Sequence, residues 1–402
     1  MIETQFLTDQ LIPYIGSKRK LVGLVRRAIE RTGVRHGTVL DLFAGAGVVS
    51  RLAKTMGFRV FSNDWEPYTV PIARTYVASN RPPEFRRLGG LDTALETLNN
   101  LPAAAGYISR HYCPADDETP DPSCERMFYT RQNGERIDAI RQELEDWRAA
   151  RVVSESEFHV LLAPLVFQAA YVSNTSGVFK GWHNGWGGRT GTALYRIRSR
   201  LTLRPPVFLD NGLRNEVFCA DANQLAGEID CDVAYLDPPY NQHQYGSNYH
   251  LLNTVALWDK PAVAARFGRS GRRDKAAIRS DWRRLRRSAY CYRRSAPQAF
   301  VELLAKLRTR WILVSYSTDG IIDPDWMVEA AAERGRVDVV TQRYKRYRVS
   351  SQRPSPRSHT TEFVLIVDCG RSSRRGDVDR VRRRIGPQAA GSDEDEGREA
   401  AG

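Results

Sequence analysis

The chain has 402 residues, 42% of them hydrophobic, which suffices for a main core and a second module. With 60 Lys and Arg against 47 Asp and Glu, its formal charge of +13 favours a polyanionic partner. No stretch resembles a transmembrane helix or secretory signal, and the six cysteines and seven histidines fall at no metal-ligand spacing; these features disfavour a membrane protein, a disulfide scaffold and a metal centre, and leave reduced thiols in the cytoplasm.

The first clear element is Thr38-Val39-Leu40-Asp41-Leu42-Phe43-Ala44-Gly45-Ala46-Gly47, an apolar strand running into a glycine turn and then a helix-like stretch at 48–56. Gly45 and Gly47 let the backbone approach a ligand closely. Val60-Phe61-Ser62-Asn63-Asp64-Trp65-Glu66 reads as a second strand ending in acids, where a doubly wound fold sets a carboxylate on ribose hydroxyls, so Asp64 is the candidate. The turn Gly45-Ala46-Gly47-Val48-Val49-Ser50 lacks the third glycine of the pyrophosphate fingerprint. A phosphate-free nucleoside such as S-adenosylmethionine therefore fits better than a dinucleotide.

From about residue 80 to the next core strand, near Val217, lie too many residues for a loop, so something folded is inserted. Residues 102–124, rich in Pro, Ala and Asp, read as an exposed loop, and 133–151 as a helix whose Ile137, Ile140, Leu144 and Trp147 pack into a core. Residues 171–204 interleave Phe179, Lys180, Trp182, His183, Trp186, Arg189, Tyr195, Arg196, Arg198, Arg200 and Arg204 with Asn174, Asn184 and the glycines at 177, 181, 185, 187 and 188. That mixture suits a loop or hairpin entering a nucleic-acid groove, where Asn reads adenine, Arg reads guanine and an aromatic ring fills the gap left by an extruded base. The competing reading is a surface loop with structural tryptophans.

Val233-Ala234-Tyr235-Leu236 reads as a buried strand that delivers Asp237-Pro238-Pro239-Tyr240 to one point. The prolines fix φ and remove two backbone donors, leaving the Asp237 carboxylate and the Pro238 carbonyl to accept from a donor outside the chain. Tyr240 supplies a face for stacking. The tetrad suits an amino group on a flat ring, although Pro-Pro also serves simply to end a strand. Between residues 266 and 294 stand twelve Lys or Arg against Asp274 and Asp281, including Arg283, Arg284, Arg286 and Arg287. Phosphate contact is expected of this stretch as a whole, and solvated surface of any one arginine. Residues 311–316 read as a further buried strand, 337–343 and 362–367 as a closing antiparallel pair, and 371–402 as a disordered tail.

With strand, glycine turn, helix, strand and acid in that order, and Asp-Pro-Pro-Tyr after them, the chain resembles an adenine-specific (N6) DNA methyltransferase. The class is the DNA adenine methylase-like one of alpha order, in which a methionine-end motif and the glycine motif precede a target recognition region and Asp-Pro-Pro-Tyr. The likeness extends over about residues 11–368, through Pro13-Tyr14-Ile15-Gly16-Ser17-Lys18-Arg19-Lys20-Leu21, Phe218-Cys219-Ala220-Asp221-Ala222, Gln244-Tyr245-Gly246-Ser247-Asn248-Tyr249-His250-Leu251-Leu252, Val314-Ser315-Tyr316-Ser317, Tyr344-Lys345-Arg346-Tyr347 and Thr361-Glu362-Phe363.

The resemblance implies an α/β fold, a doubly wound Rossmann-like sheet dependent on S-adenosylmethionine, with an inserted target recognition region. It divides the chain into methyltransferase core at 1–80, the insertion at 81–205, further core at 206–370 and the tail at 371–402. Tyr14 and Lys18 would contact the cofactor and line the active site, Gly45, Gly47 and Phe43 would lie near its methionine end, and Asp64 would hold the ribose. Asp221 would meet the adenine amino group or merely cap a strand end, and Asp41 would touch the cofactor or orient the glycine turn. Asp237, which also borders the cofactor, Pro238, Pro239 and Tyr240 would be catalytic. The position of residues 171–204 matches the target recognition region, making Lys180, Trp182, Asn184, Trp186, Arg189 and Arg196 the expected DNA contacts there.

The adenine amino group is a poor nucleophile because its lone pair is delocalised, and acceptors on its two hydrogens would localise that pair toward the methyl carbon. The partner is then double-stranded DNA in a prokaryotic cytoplasm, with any cognate restriction endonuclease a separate chain, and with neither metal nor membrane. Methylation of cytosine N4 needs the same acceptors and stands as the nearest rival. Methylation of RNA or of a protein glutamine is a second, the glutamine enzymes having Asn where this chain has Asp237. A DNA-binding protein that has kept the fold and lost transfer is a third.

Overall fold

The structure, a computed structural model, describes residues 2–188, 191–263, 276–279, 281–345 and 359–386. Seven strands, β1 (Thr38–Asp41), β2 (Arg59–Asn63), β3 (Glu216–Phe218), β4 (Asp230–Leu236), β5 (Arg308–Ser317), β6 (Arg336–Lys345) and β7 (His359–Asp368), form one sheet in the order β3-β2-β1-β4-β5-β7-β6. β1, β2 and β3 pair in parallel, and β7 runs antiparallel to both β5 and β6. This is the Rossmann-like α/β sheet with its closing antiparallel pair. By packing, the chain falls into two compact units: Met1–Val22, Arg35–Cys231 and His243–Ser288 make the first, and Gly23–Val34, Asp232–Gln242 and Ala289–Gly402 the second.

In the first unit β1 has no polar interruption at its centre because both faces are covered: Val39 and Leu40 are fully buried, with Val39 opposite Val60 of β2. The helix Val48–Thr55 follows directly and buries Val48, Val49, Leu52 and Ala53. The inserted residues supply two longer helices. Arg131–Ala149 starts at Thr130, whose hydroxyl accepts the Asn133 N–H, and Glu155–Tyr171 starts with a capping box of Ser154 and Glu157. Ile137, Ile140, Leu144 and Trp147 are buried in one cluster with Phe158, Leu161 and Leu165. The stripe is core packing, as its spacing indicates.

Residues 102–124 are not wholly a loop. Tyr107–Tyr112 is a helix that buries Ile108 and Tyr112, and the buried Asp138 carboxylate accepts the N–H groups of Gly106, Ile108 and Ser109 at 3.1, 2.8 and 2.8 Å. A carboxylate from another element thus satisfies the start of a helix too short to persist alone.

Part of the positive charge of this unit is internal. Lys54 is buried, donates to the carbonyls of Tyr76, Val77 and Ser79 at 3.3, 2.9 and 2.8 Å, and is pushed down to about 7 by burial. Arg141, also buried, donates from Nε to the Val255 carbonyl at 2.7 Å and pairs with Glu145 at 2.5 Å. Both cations occupy carbonyls left over at helix ends.

In the second unit Tyr316 of β5 stands opposite Phe363 of β7, and the helix Pro324–Arg334 is capped by Asp323, which accepts the Trp326 N–H at 3.0 Å. The tail is ordered over part of its length: Arg375–Ile385 is a helix that buries Val381 and Ile385, and Arg382 pairs with Glu329 of the preceding helix. Two apolar residues one turn apart and ion pairs to other elements hold it. Residues 387–402 lie outside the described residues. Among the described residues no helix is long and apolar enough to cross a membrane, and no group of three or more His, Cys, Asp or Glu could hold a metal ion.

Candidate active site

In the first unit, β1 ends in the turn through Gly45 and Gly47, both left-handed at φ 52° and 78°. The Gly45 N–H donates to Asp64 Oδ2 at 2.7 Å, and the Ala44 N–H donates to the Asn63 carbonyl at 2.9 Å, so the end of β2 holds the turn. A Cβ on Gly45 would sit 2.8 Å from Cε1 and 3.1 Å from the hydroxyl oxygen of Tyr14. The close approach for which the glycine leaves room is made here by Tyr14.

Asp64 Oδ1 accepts the Glu66 N–H at 2.8 Å. Asp64 is half-buried, and burial pushes its carboxyl up to about 6 against the pull of the Glu66 and Gly45 N–H groups. Glu66 is more deeply buried and is pushed up to about 7; its Oε2 accepts from Asn253 Nδ2 at 2.6 Å. Phe43 is half-buried and Lys18 is buried in the short helical turn Lys18–Leu21. Asp41 is wholly buried and accepts from Ser50 Oγ at 2.6 Å, which ties β1 to the helix after the glycine turn. Asp221 caps the helix Ala222–Leu225, accepting the N–H groups of Asn223 and Gln224 at 2.9 and 3.2 Å.

Asn63 joins three strand ends and escaped the sequence analysis. Its Nδ2 donates to the carbonyls of Leu42 at 3.0 Å and Ala220 at 3.1 Å, while its Oδ1 accepts the Ala220 N–H at 3.0 Å. Only its place beside Asp64 at the end of a strand marked it.

In the second unit β4 delivers Asp237-Pro238-Pro239-Tyr240, with Pro238 buried and the other three half-buried. The Tyr240 carbonyl accepts the Ile321 N–H at 3.1 Å, and its ring meets Tyr316 edge-on with centroids 6.3 Å apart. Tyr316 is fully buried, its hydroxyl accepts the Ile322 N–H at 3.1 Å, and burial pushes it up to about 12. A Cβ on Gly320 would lie 2.1 Å from the Tyr316 ring. Residues 316–322 therefore brace both the backbone and the ring of Tyr240, a function that the string Val314-Ser315-Tyr316-Ser317 did not disclose.

The expected DNA contacts separate by exposure, all in the first unit. Lys180 and Asn184 are exposed, and Arg196 is half-buried over the Tyr171 ring at 5.7 Å. Trp182 is only 6% exposed and belongs to the core. Trp186 is half-buried and donates from Nε1 to the Asp117 carbonyl at 2.8 Å. Asn174 is fully buried: its Nδ2 donates to the carbonyls of Met127, His183 and Gly185 at 3.0, 3.1 and 3.3 Å, and its Oδ1 accepts the Gly187 N–H at 3.1 Å. Arg189 lies outside the described residues.

Of the basic stretch, residues 266–275 and the side chains of Arg283 and Arg284 also lie outside the described residues. Arg287 is exposed. Arg286 is committed internally, donating to the Trp65 carbonyl at 2.6 Å, and it shares the buried Trp282 ring with Arg279, each guanidinium carbon 4.6 Å from the centroid. Arg279 is further held by Asp259 and Asp281.

The description of the D12 class N6 adenine-specific DNA methyltransferase matches residues 14–280. The chain is 31% identical over 364 residues to the Type II methyltransferase M.NlaIII of Neisseria lactamica, covering 88% of this chain and 98% of that protein. It is 30% identical over 363 residues to the Type II methyltransferase M.CviAII of Paramecium bursaria Chlorella virus 1, covering 89% and 98%. It is likewise 30% identical over 359 residues to the Type II methyltransferase M.FokI of Planomicrobium okeanokoites, covering 88% of this chain and 52% of that one. The family decides for adenine N6 over cytosine N4. A strand-borne Asp-Pro-Pro-Tyr, a glycine turn tied to Asp64 and a match over most of the sequence agree: the chain belongs to the D12 class of N6 adenine-specific DNA methyltransferases.

Proposed function

We propose that the chain takes the methyl group of S-adenosylmethionine and places it on the N6 amino group of an adenine extruded from duplex DNA, as the modification enzyme of a restriction-modification system whose endonuclease is a separate chain. The reading is carried by Asp237-Pro238-Pro239-Tyr240 at the end of β4, with Tyr240 braced by Tyr316. The residues at the ends of β1 and β2 suit the cofactor: a half-buried carboxylate at Asp64 for ribose hydroxyls, the half-buried ring of Phe43 and the Gly45–Gly47 turn closed by Tyr14. Bound there, S-adenosylmethionine supplies a methyl carbon made electrophilic by its sulfonium.

The chain's own residues then act on the base. Asp237 and the Pro238 carbonyl accept the two amino hydrogens and so direct the nitrogen lone pair outward, while Tyr240 stacks on the ring. No covalent protein nucleophile is needed, and positioning supplies much of the rate. Extrusion of the base costs a few kcal/mol, which base contacts and filling of the vacated gap must offset. Residues 81–205 form the target recognition region in this reading, with Lys180 and Asn184 on its exposed side.

The test is transfer of labelled methyl from S-adenosylmethionine to unmethylated duplex DNA, followed by digestion to nucleosides. N6-methyladenine is the expected product. Absence of labelled nucleoside while cofactor still binds would overturn the catalytic reading.

A further inference from the structure

We infer that Tyr245 and Tyr249 are positioning residues for the cofactor: together they clamp the backbone of Ile15 and thereby hold the Tyr14 ring over the glycine turn. The inference rests on the proposal that Tyr14 and this turn bind S-adenosylmethionine. The string Gln244 to Leu252 stood out in the sequence with no function attached to it. Its two tyrosines terminate on a single residue. Tyr249 Oη accepts the Ile15 N–H at 2.9 Å, and Tyr245 Oη donates to the Ile15 carbonyl at 3.4 Å, so both backbone polar groups next to Tyr14 are gripped.

The rings act with the hydroxyls. Tyr14 stacks on Tyr249 with centroids 5.1 Å apart and planes 17° apart, and lies 5.4 Å from Tyr245. Tyr68 backs Tyr249 on another side at 5.3 Å. Tyr249 is fully buried, so its hydroxyl has little water to turn to if the Ile15 bond is lost. Pressed between this stack and Gly45, the Tyr14 ring has nowhere to retreat.

The clamp is also rooted at the acid end of β2. The Tyr249 carbonyl accepts the Asn253 N–H at 3.0 Å; Asn253 then donates from Nδ2 to Glu66 at 2.6 Å and accepts the Tyr68 N–H on Oδ1 at 3.0 Å. Glu66 in turn donates its N–H to Asp64 at 2.8 Å. One continuous set of bonds therefore runs from the clamp to the carboxylate proposed for the ribose. Rings alone would pack as well with phenylalanine; the hydroxyls are what fix the height and tilt of Tyr14.

The test uses the full chain with four variants: Tyr249→Phe, Tyr245→Phe, Tyr14→Ala, and Tyr249→Phe combined with Tyr14→Ala. Cofactor affinity is measured by calorimetry with S-adenosylmethionine, KM is measured separately for cofactor and DNA, and thermal unfolding checks the fold. Loss of the buried Tyr249 bond should weaken cofactor binding about tenfold, and loss of the longer Tyr245 bond roughly twofold, with the DNA KM unchanged. Because the clamp acts through Tyr14, Tyr249→Phe should add little once Tyr14 is alanine. Weakened cofactor binding in Tyr14→Ala with normal binding in Tyr249→Phe would overturn the clamp alone. Equal rises in both KM values that track a lower Tm would also overturn it, by making the tyrosines merely structural. Normal cofactor binding in Tyr14→Ala would overturn the underlying site, and the clamp with it.

Discussion

Gly45→Ala puts the glycine turn to a quantitative test. At φ 52° an L-residue is left-handed, which costs about 1–2 kcal/mol relative to glycine. The new methyl would also meet Tyr14 at 2.8–3.1 Å, against a ring backed by Tyr249 at 5.1 Å, and such overpacking costs typically about 1–3 kcal/mol. Thermal unfolding should therefore register a loss of about 2–5 kcal/mol, and calorimetry with S-adenosylmethionine a fall in affinity of tenfold or more. The two contributions separate in a double variant. With Tyr14→Ala the ring is gone, so Gly45→Ala should retain only the backbone strain. If Gly45→Ala destabilises the protein equally with and without the Tyr14 ring, the steric account is wrong and the glycine serves the backbone alone.

Asp237→Ala should abolish methyl transfer and leave DNA binding by gel shift intact; loss of both would make Asp237 part of the frame. Arg286 holds the carboxyl of Asp64 lower than burial alone would set it, so Arg286→Ala should move the acid limb of cofactor binding, expected near pH 6, to higher pH. A limb that stays in place would separate Asp64 from cofactor binding. Glu66 is pushed up from 4.5 to about 7, so the folded chain holds its proton over that range while the unfolded chain does not. Its contribution is complete below pH 4.5 and lost as pH rises through about 7, and Glu66→Gln should flatten this decline in Tm from pH 5 to 8. An identical decline in the variant would assign it to other groups. Asn174→Ala strips four partners of their bonds and should destabilise the fold by about 3 kcal/mol, with weaker DNA binding. Normal Tm together with normal binding would show that the loop keeps its shape without the side chain.

The strands were legible because a sheet covered on both faces needs unbroken apolar runs, as in Val39-Leu40 and Val233 to Leu236. The glycine turn and the tetrad were legible because each joins a strand to residue types with few other uses. Arginine and tryptophan are harder to read, since a phosphate contact and an internal bond to backbone carbonyls draw on the same residue types. Arg141 and Arg286 spend their guanidinium groups on carbonyls, and Trp182 packs inside. Helices held from a distance left no local trace either. Tyr107–Tyr112 depends on Asp138, thirty residues from Ile108, and Arg375–Ile385 leans on Glu329 of another helix. The frame around Tyr240 was hidden for the same reason, because Tyr316 and Ile321 meet it only once β4 and β5 are folded.

Asn174 has a bearing on how the target sequence can change during evolution. By holding residues 183, 185 and 187 from inside, it gives the loop a scaffold that does not involve the exposed side chains at 180 and 184. In the proposed reading, where Lys180 and Asn184 face DNA, a new recognition sequence would arise by substitutions outside this inner set of bonds, with the methyl-transfer chemistry inherited unchanged.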